Sequence, residues 1–128
     1  MISTDKKYQN GSKKKVVIAI GGNAILQKNQ IGTYKEQQKN IQKIAKSIAS
    51  IVLGKHLYKI SAITHGNGPQ VGNILLQQEY TKKVPKLPMH TAVAMTQGQI
   101  GYMLQQALQN EFKKLKKDRK IVSLITQT

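Results

Sequence analysis

A continuous β-branched run, Val16-Val17-Ile18-Ala19-Ile20, breaks at Gly21-Gly22-Asn23-Ala24 and then gives way to a long helical period. No other feature limits the possible folds as much. A short apolar run without alternation is the pattern of a strand buried on both faces. A glycine-rich turn between such a strand and a helix is the signature of an α/β unit. The same order returns downstream. Residues 59–64 predict a second strand, His65-Gly66-Asn67-Gly68-Pro69 a second glycine-rich turn, and residues 70–80 a helix.

The first helix is expected over residues 35–53. Ile41, Ile44, Ala45, Ile48, Ile51 and Val52 recur at helical spacing, with Lys35, Lys39, Lys43 and Lys46 on the opposite face. Gly54 is placed to cap its C-terminus. Two prolines and three lysines mark residues 81–88 as a loop, and a further helix is expected over 91–112. Inside it Gly98 and Gly101 stand three apart. Each costs about 1 kcal/mol relative to alanine in a helix, so they point to close approach of another backbone, within the subunit or across a dimer. After a charged connection, Ile121-Val122-Ser123-Leu124-Ile125 predicts a third strand. Right-handed crossovers would make the sheet parallel. A buried parallel strand calls for a further covering element, so the sequence is expected to stop inside a domain, incomplete at the C-terminus.

Composition narrows the class. The 128 residues suit one domain, with 39% hydrophobic and 20% charged residues. Cysteine is absent, which excludes a disulfide scaffold, cysteine-ligated metal and a thiol nucleophile. No apolar run approaches the roughly 20 residues that cross a membrane. Residues 1–14 read as a flexible basic arm without a secretory signal, and the expected location is the cytoplasm. The net charge of +16 raises nucleic acid as a partner. Yet Arg119 is the single arginine among 21 cationic residues, and nucleic-acid readers favour arginine's bidentate fork. The charge reads as background, and nucleic acid as the disfavoured partner.

Ligands of open α/β sheets bind beyond the carboxyl ends of the strands. Glycines there let backbone N–H groups approach an anion, and a helix N-terminus adds positive potential. Gly21, Gly22 and Asn23, with Gly66, Asn67 and Gly68, therefore form a candidate anion site; two ordinary strand-to-helix turns are the alternative. Neither loop is a Walker A motif or a dinucleotide fingerprint. Asn23 and Asn67 hold similar places, able to donate to an oxyanion or simply to form the turn. His65 could bond a phosphate or shape its loop. His56 and His90 lack partners in the pattern, and no metal-ligand spacing or paired-carboxylate signature is present.

At these motifs the chain resembles carbamate kinases, of the amino acid kinase superfamily. The resemblance rests on Val16 through Leu26, on His65-Gly66-Asn67-Gly68-Pro69-Gln70-Val71-Gly72-Asn73 with Leu75-Leu76-Gln77-Gln78, and on Ala94-Met95-Thr96-Gln97-Gly98-Gln99-Ile100-Gly101-Tyr102. Leu124-Ile125-Thr126-Gln127 completes it. It implies a three-layer α/β sandwich with a mainly parallel sheet, of which residues 15–128 would be the N-terminal, carbamate- and phosphate-binding part. It further implies reversible phosphoryl transfer between ATP plus carbamate and ADP plus carbamoyl phosphate, with Mg2+, in arginine fermentation, by a cytoplasmic homodimer. Gly21, Gly22 and Asn23 match the family's first substrate loop, and Gly66, Asn67 and Gly68 its second.

The family's catalytic lysines and nucleotide contacts fall later in the chain, so these 128 residues alone are expected to be inactive. Two departures stand out. Leu87-Pro88-Met89-His90 replaces a segment ending in aspartate, and the glycine turn before the second strand is replaced around Tyr58. A truncated interaction subunit and a basic nucleic-acid-binding module are the alternative functions.

Overall fold

A computed structural model describes residues 14–54 and 58–127. The expected arm lies outside the described residues except for Lys14, which opens the first strand; His56 also lies outside them. The elements are β1 (Lys14–Ile20), α1 (Gly22–Ile25), α2 (Tyr34–Leu53), β2 (Tyr58–His65), α3 (Gly68–Tyr80) and α4 (Met89–Lys114). The strands pair in parallel with Ile20 opposite His65, and the register shifts once, between Val16 and Val17. The α/β class and parallel pairing agree with the expectation.

One face of this sheet lies on the helices. Ile20 joins Ile41, Ala45 and Ile48 of α2 and Ile100, Leu104, Leu108 and Phe112 of α4 in one buried cluster. Ile18, Ile60 and Ile63 pack against it. Each such aliphatic side chain removed from water contributes about 1.5–3 kcal/mol. The lysines of α2 are exposed on its outer face, as its period requires. Ile51 of the expected stripe is exposed instead. Polar Gln37 and Asn40 are buried along the same helix.

Two expectations need correction. First, β1 is not covered on both faces by the described residues: Val17 is 60% exposed, and Ala19, Ser61, Ala62 and Thr64 are exposed as well. Second, residues 121–125, expected as a third strand, are not assigned to any strand and form no ladder with β1 or β2. Strand propensity sets the local conformation, whereas a ladder needs a neighbouring backbone. Gly54 caps α2 as expected, its N–H donating to the Ser50 carbonyl, with φ −67° and ψ 161°.

The entry to α2 is tightly specified. Thr33 and Glu36 form a reciprocal capping box. Glu36 Oε2 also accepts from the Gly32 N–H at 3.0 Å. Gly32 itself has a φ of 92°, a conformation open to glycine and costly for most other residues.

Candidate anion site at two glycine loops

Parallel pairing of Ile20 with His65 brings both glycine loops to the same end of the sheet. The Gly66 N–H donates to the Ile20 carbonyl at 3.0 Å, extending the pairing into the loops. The loops then touch. A Cβ placed on Gly22 would lie 3.6 Å from Pro69 Cδ, and one on Gly66 would lie 3.7 Å from the Gly22 nitrogen. The six predicted site residues are thus neighbours in two abutting turns.

None of the four loop glycines has a positive φ; among the described glycines only Gly32 does. Turn geometry therefore does not require glycine here, contrary to a plain turn-forming reading. Packing does not require it at two of the positions either. A Cβ on Gly21 or Gly68 would meet nothing within 4 Å. What their lack of a side chain preserves is open space beside backbone N–H groups. The first N–H groups of a helix lack intrahelical acceptors. Here they include those of Gly22 and Asn23 at α1 and of Gly68 and Gln70 at α3; Pro69 has none to give. Donors around unfilled space can hold an oxyanion.

The two asparagines divide the work. Asn23 is exposed, and its side chain makes no hydrogen bond among the described residues. Asn67 Nδ2 donates to the Val93 carbonyl at 3.1 Å and to Thr96 Oγ1 at 2.9 Å. Thr96 is fully buried in α4. The Asn67 amide is therefore a strut between the second loop and α4, leaving its backbone to face a ligand.

Sequence reasoning missed a polar network behind the loops. Gln70, in the first turn of α3, donates to Gln37 Oε1 at 2.9 Å. Gln37 donates to the Gly32 carbonyl at 2.7 Å. Asn40 donates to the Ile25 carbonyl at 3.0 Å and to Gln30 Oε1 at 2.6 Å. These amides join both loops to α2. Gln70 Oε1 and His65 Nδ1 are buried without partners. His65 is half-buried beside the second loop, while His90 is exposed in the first turn of α4.

Among the described residues no group of three or more His, Cys, Asp or Glu side chains could hold a metal ion, so they do not fit a Mg2+ site. The two described ion pairs, Lys86–Glu79 and Lys114–Glu111, do not involve the loops. No described helix is long and apolar enough to cross a membrane.

Comparison with known proteins agrees with this architecture. No family model matches the chain. It is 52% identical over 118 residues to the carbamate kinase of Thermococcus kodakarensis, covering 90% of this chain and 37% of the relative. It is 44% identical over 116 residues to carbamate kinase 1 of Enterococcus faecium, covering 89% and 36%. The solved structure of carbamate kinase from Giardia lamblia bound to AMP-PNP superposes with a TM-score of 0.77 at 44% identity, covering 85% of this chain and 38% of that one.

The chain therefore has an α/β architecture matching part of the amino acid kinase fold. Within that class it is a homologue of the carbamate kinases, similar to them along about nine-tenths of its own length. It spans just over a third of the length of the relatives it matches.

Proposed function

We propose that the chain forms the carbamate- and phosphate-binding part of a carbamate kinase. The complete enzyme would transfer a phosphoryl group reversibly between ATP and carbamate, giving ADP and carbamoyl phosphate. The observation that carries this reading is the contact between the two glycine loops at Gly22 and Pro69, beside space left open at Gly21 and Gly68.

The chemistry suits the site. Carbamate is an anion, so its oxygen attacks phosphorus without a general base. Rate then comes from in-line placement and from neutralising charge on the transferring group. The backbone N–H groups of Gly21, Gly22, Asn23, Asn67 and Gly68 supply donors for those oxygens, while the Gly66 N–H, bonded to the Ile20 carbonyl, fixes the second loop against β1. The Asn23 side chain adds an adaptable one, and Asn67 holds the second loop to α4. ATP or ADP with Mg2+ would supply the phosphoryl group and its countercharge from a nucleotide part outside these residues. By itself the 128-residue chain is then inactive. A cytoplasmic homodimer serving arginine fermentation is the setting we infer for the complete enzyme.

The test uses the chain itself. Titration with carbamoyl phosphate should shift the backbone amide resonances of Gly21, Gly22, Gly66 and Gly68, while ADP and carbamoyl phosphate yield no ATP. Amides that stay unmoved at millimolar ligand would remove the anion-site reading; ATP formation by this chain would remove the claim of inactivity.

A further inference from the structure

We propose that the lysine-lined cleft between α2 and the C-terminal end of α4 is a binding site for linear polyphosphate. It shares no residue with the glycine loops, and it stands independently of the function proposed above.

The positive charge is not spread evenly. Residues 35–46 and 113–120 hold ten of the 21 cationic residues, whereas α3 and residues 89–112 of α4 hold none. Packing of α2 on α4 brings the two stretches together. Lys39, Lys43 and Lys46 of α2 line a cleft of about 320 Å³ with Lys114 of α4, and the amides of Gln42 and Asn110 stand among them. Lys113, the neighbour of Lys114, lines a second cleft of about 740 Å³ with Lys116, Lys117, Arg119 and Lys120. The two clefts thus flank the last turn of α4.

Charge in the first cleft lacks internal compensation. Lys39, Lys43 and Lys46 make no ion pair among the described residues. They repeat at i, i+4 and i+7, on one helix face and over about 10 Å at 1.5 Å per residue. Like charges at that spacing repel and weaken the helix. Glu36, the only acid of α2, is held at its N-terminus by the Gly32 and Thr33 N–H groups. Glu111 is the one carboxylate lining the cleft, and Lys114 Nζ already engages it at 2.7 Å. A bound polyanion would remove a repulsion that the fold leaves in place.

The chemistry selects the occupant. The lysine ammonium is a compact point charge that holds phosphoryl oxygens without a set orientation. The amides of Gln42 and Asn110 can donate to oxygens between the lysines. Nucleic acid is disfavoured because bases stack on exposed aromatic faces. Phe112, the one aromatic residue lining either cleft, is buried. A membrane is disfavoured because an interfacial helix inserts its apolar face, and that of α2 is spent in the core. Two clefts flanking one helical turn suit an extended chain more than a compact anion.

The experiment titrates the 128-residue chain with long-chain inorganic polyphosphate by calorimetry. Binding should saturate and weaken with salt. Lys39→Gln, Lys43→Gln and Lys46→Gln combined should weaken it roughly tenfold or more, with circular dichroism unchanged. The same substitution at Lys28, Lys82 and Lys83, which are exposed and line neither cleft, removes equal charge and should weaken it less than about twofold. Glu111→Gln removes the carboxylate of the cleft and releases Lys114, so binding should tighten about twofold or more. Absence of binding, equal losses in the two triple variants, or a Glu111→Gln variant that binds no more tightly would each overturn the proposal. So would polyglutamate or duplex DNA binding as tightly as polyphosphate, which would assign this face to an acidic protein segment or to nucleic acid.

Discussion

The two glycine loops look alike in sequence and are secured in opposite ways. The second loop carries its own anchor: the Asn67 side chain reaches two acceptors on α4. The first has no such strut. Asn23 is left free, and the loop is steadied from behind, where Asn40 of α2 holds the Ile25 carbonyl. A loop anchored by its own side chain loses that side chain as a ligand group. A loop anchored through a remote backbone carbonyl keeps it. The difference makes Asn67 a structural strut and leaves the Asn23 side chain available for the recognition proposed above, although they occupy similar places in their motifs.

The largest expected effect breaks the pair apart. Asn67→Asp puts an oxygen where the Val93 carbonyl and Thr96 Oγ1 now receive N–H groups. Losing both bonds and opposing oxygens in a partly buried site should cost about 3 kcal/mol in urea unfolding. Asn23→Asp, in open solvent, should change stability by no more than about 0.5 kcal/mol, yet weaken the carbamoyl phosphate shifts by adding negative charge. Equal stability losses in the two variants would dissolve the distinction.

Much of this frame was legible in the residues. Helical period marked α2 and α4, and β-branched runs ending in glycine marked β1 and β2. The places of the six loop residues after parallel strands predicted that the two loops meet, which they do. The helix α1 was not legible, because its four residues are too short to show a period. Gln37, Asn40 and Gln70 were missed because periodic patterns count amides as surface, and burial becomes tolerable only once each finds a distant partner. The Asn67 strut has the same origin, with acceptors 26 and 29 residues away. Residues 121–125 show the converse limit. Their propensity predicted a strand that the structure does not assign, because pairing is a property of two segments.

A second variant tests whether the first loop depends on its remote support. Asn40→Ala removes the donor to the buried Ile25 carbonyl and the bond to Gln30. The carbonyl left unsatisfied should cost about 2 kcal/mol. Exchange of the Asn23 and Ala24 amides should quicken, while those of Gly66 and Asn67 should not. Quickening at both loops would mean that they are secured as one body.

The smallest expected effect probes the entry to α2, on which Asn40 stands. Thr33→Ala removes the capping hydroxyl and should cost about 1 kcal/mol, smaller than the effect at Asn40 because the site is exposed. Its pH dependence carries more information than its size. Glu36 is held below its ordinary value of 4.5, first by the Thr33 backbone N–H, then by the Thr33 hydroxyl, with the Gly32 N–H adding a smaller contribution against desolvation. A carboxyl with a lowered folded pKa stabilises the fold fully above its unfolded value. That stabilisation is lost as pH falls from about 4.5 through the lower folded value. The wild-type chain should therefore lose part of its α2 stability over that acid window. Thr33→Ala should show a shallower loss, since the Glu36 pKa then moves back toward its ordinary value. Parallel acid profiles in the two proteins would mean that the cap contributes through geometry alone. The first loop would then be insensitive to the charge of Glu36.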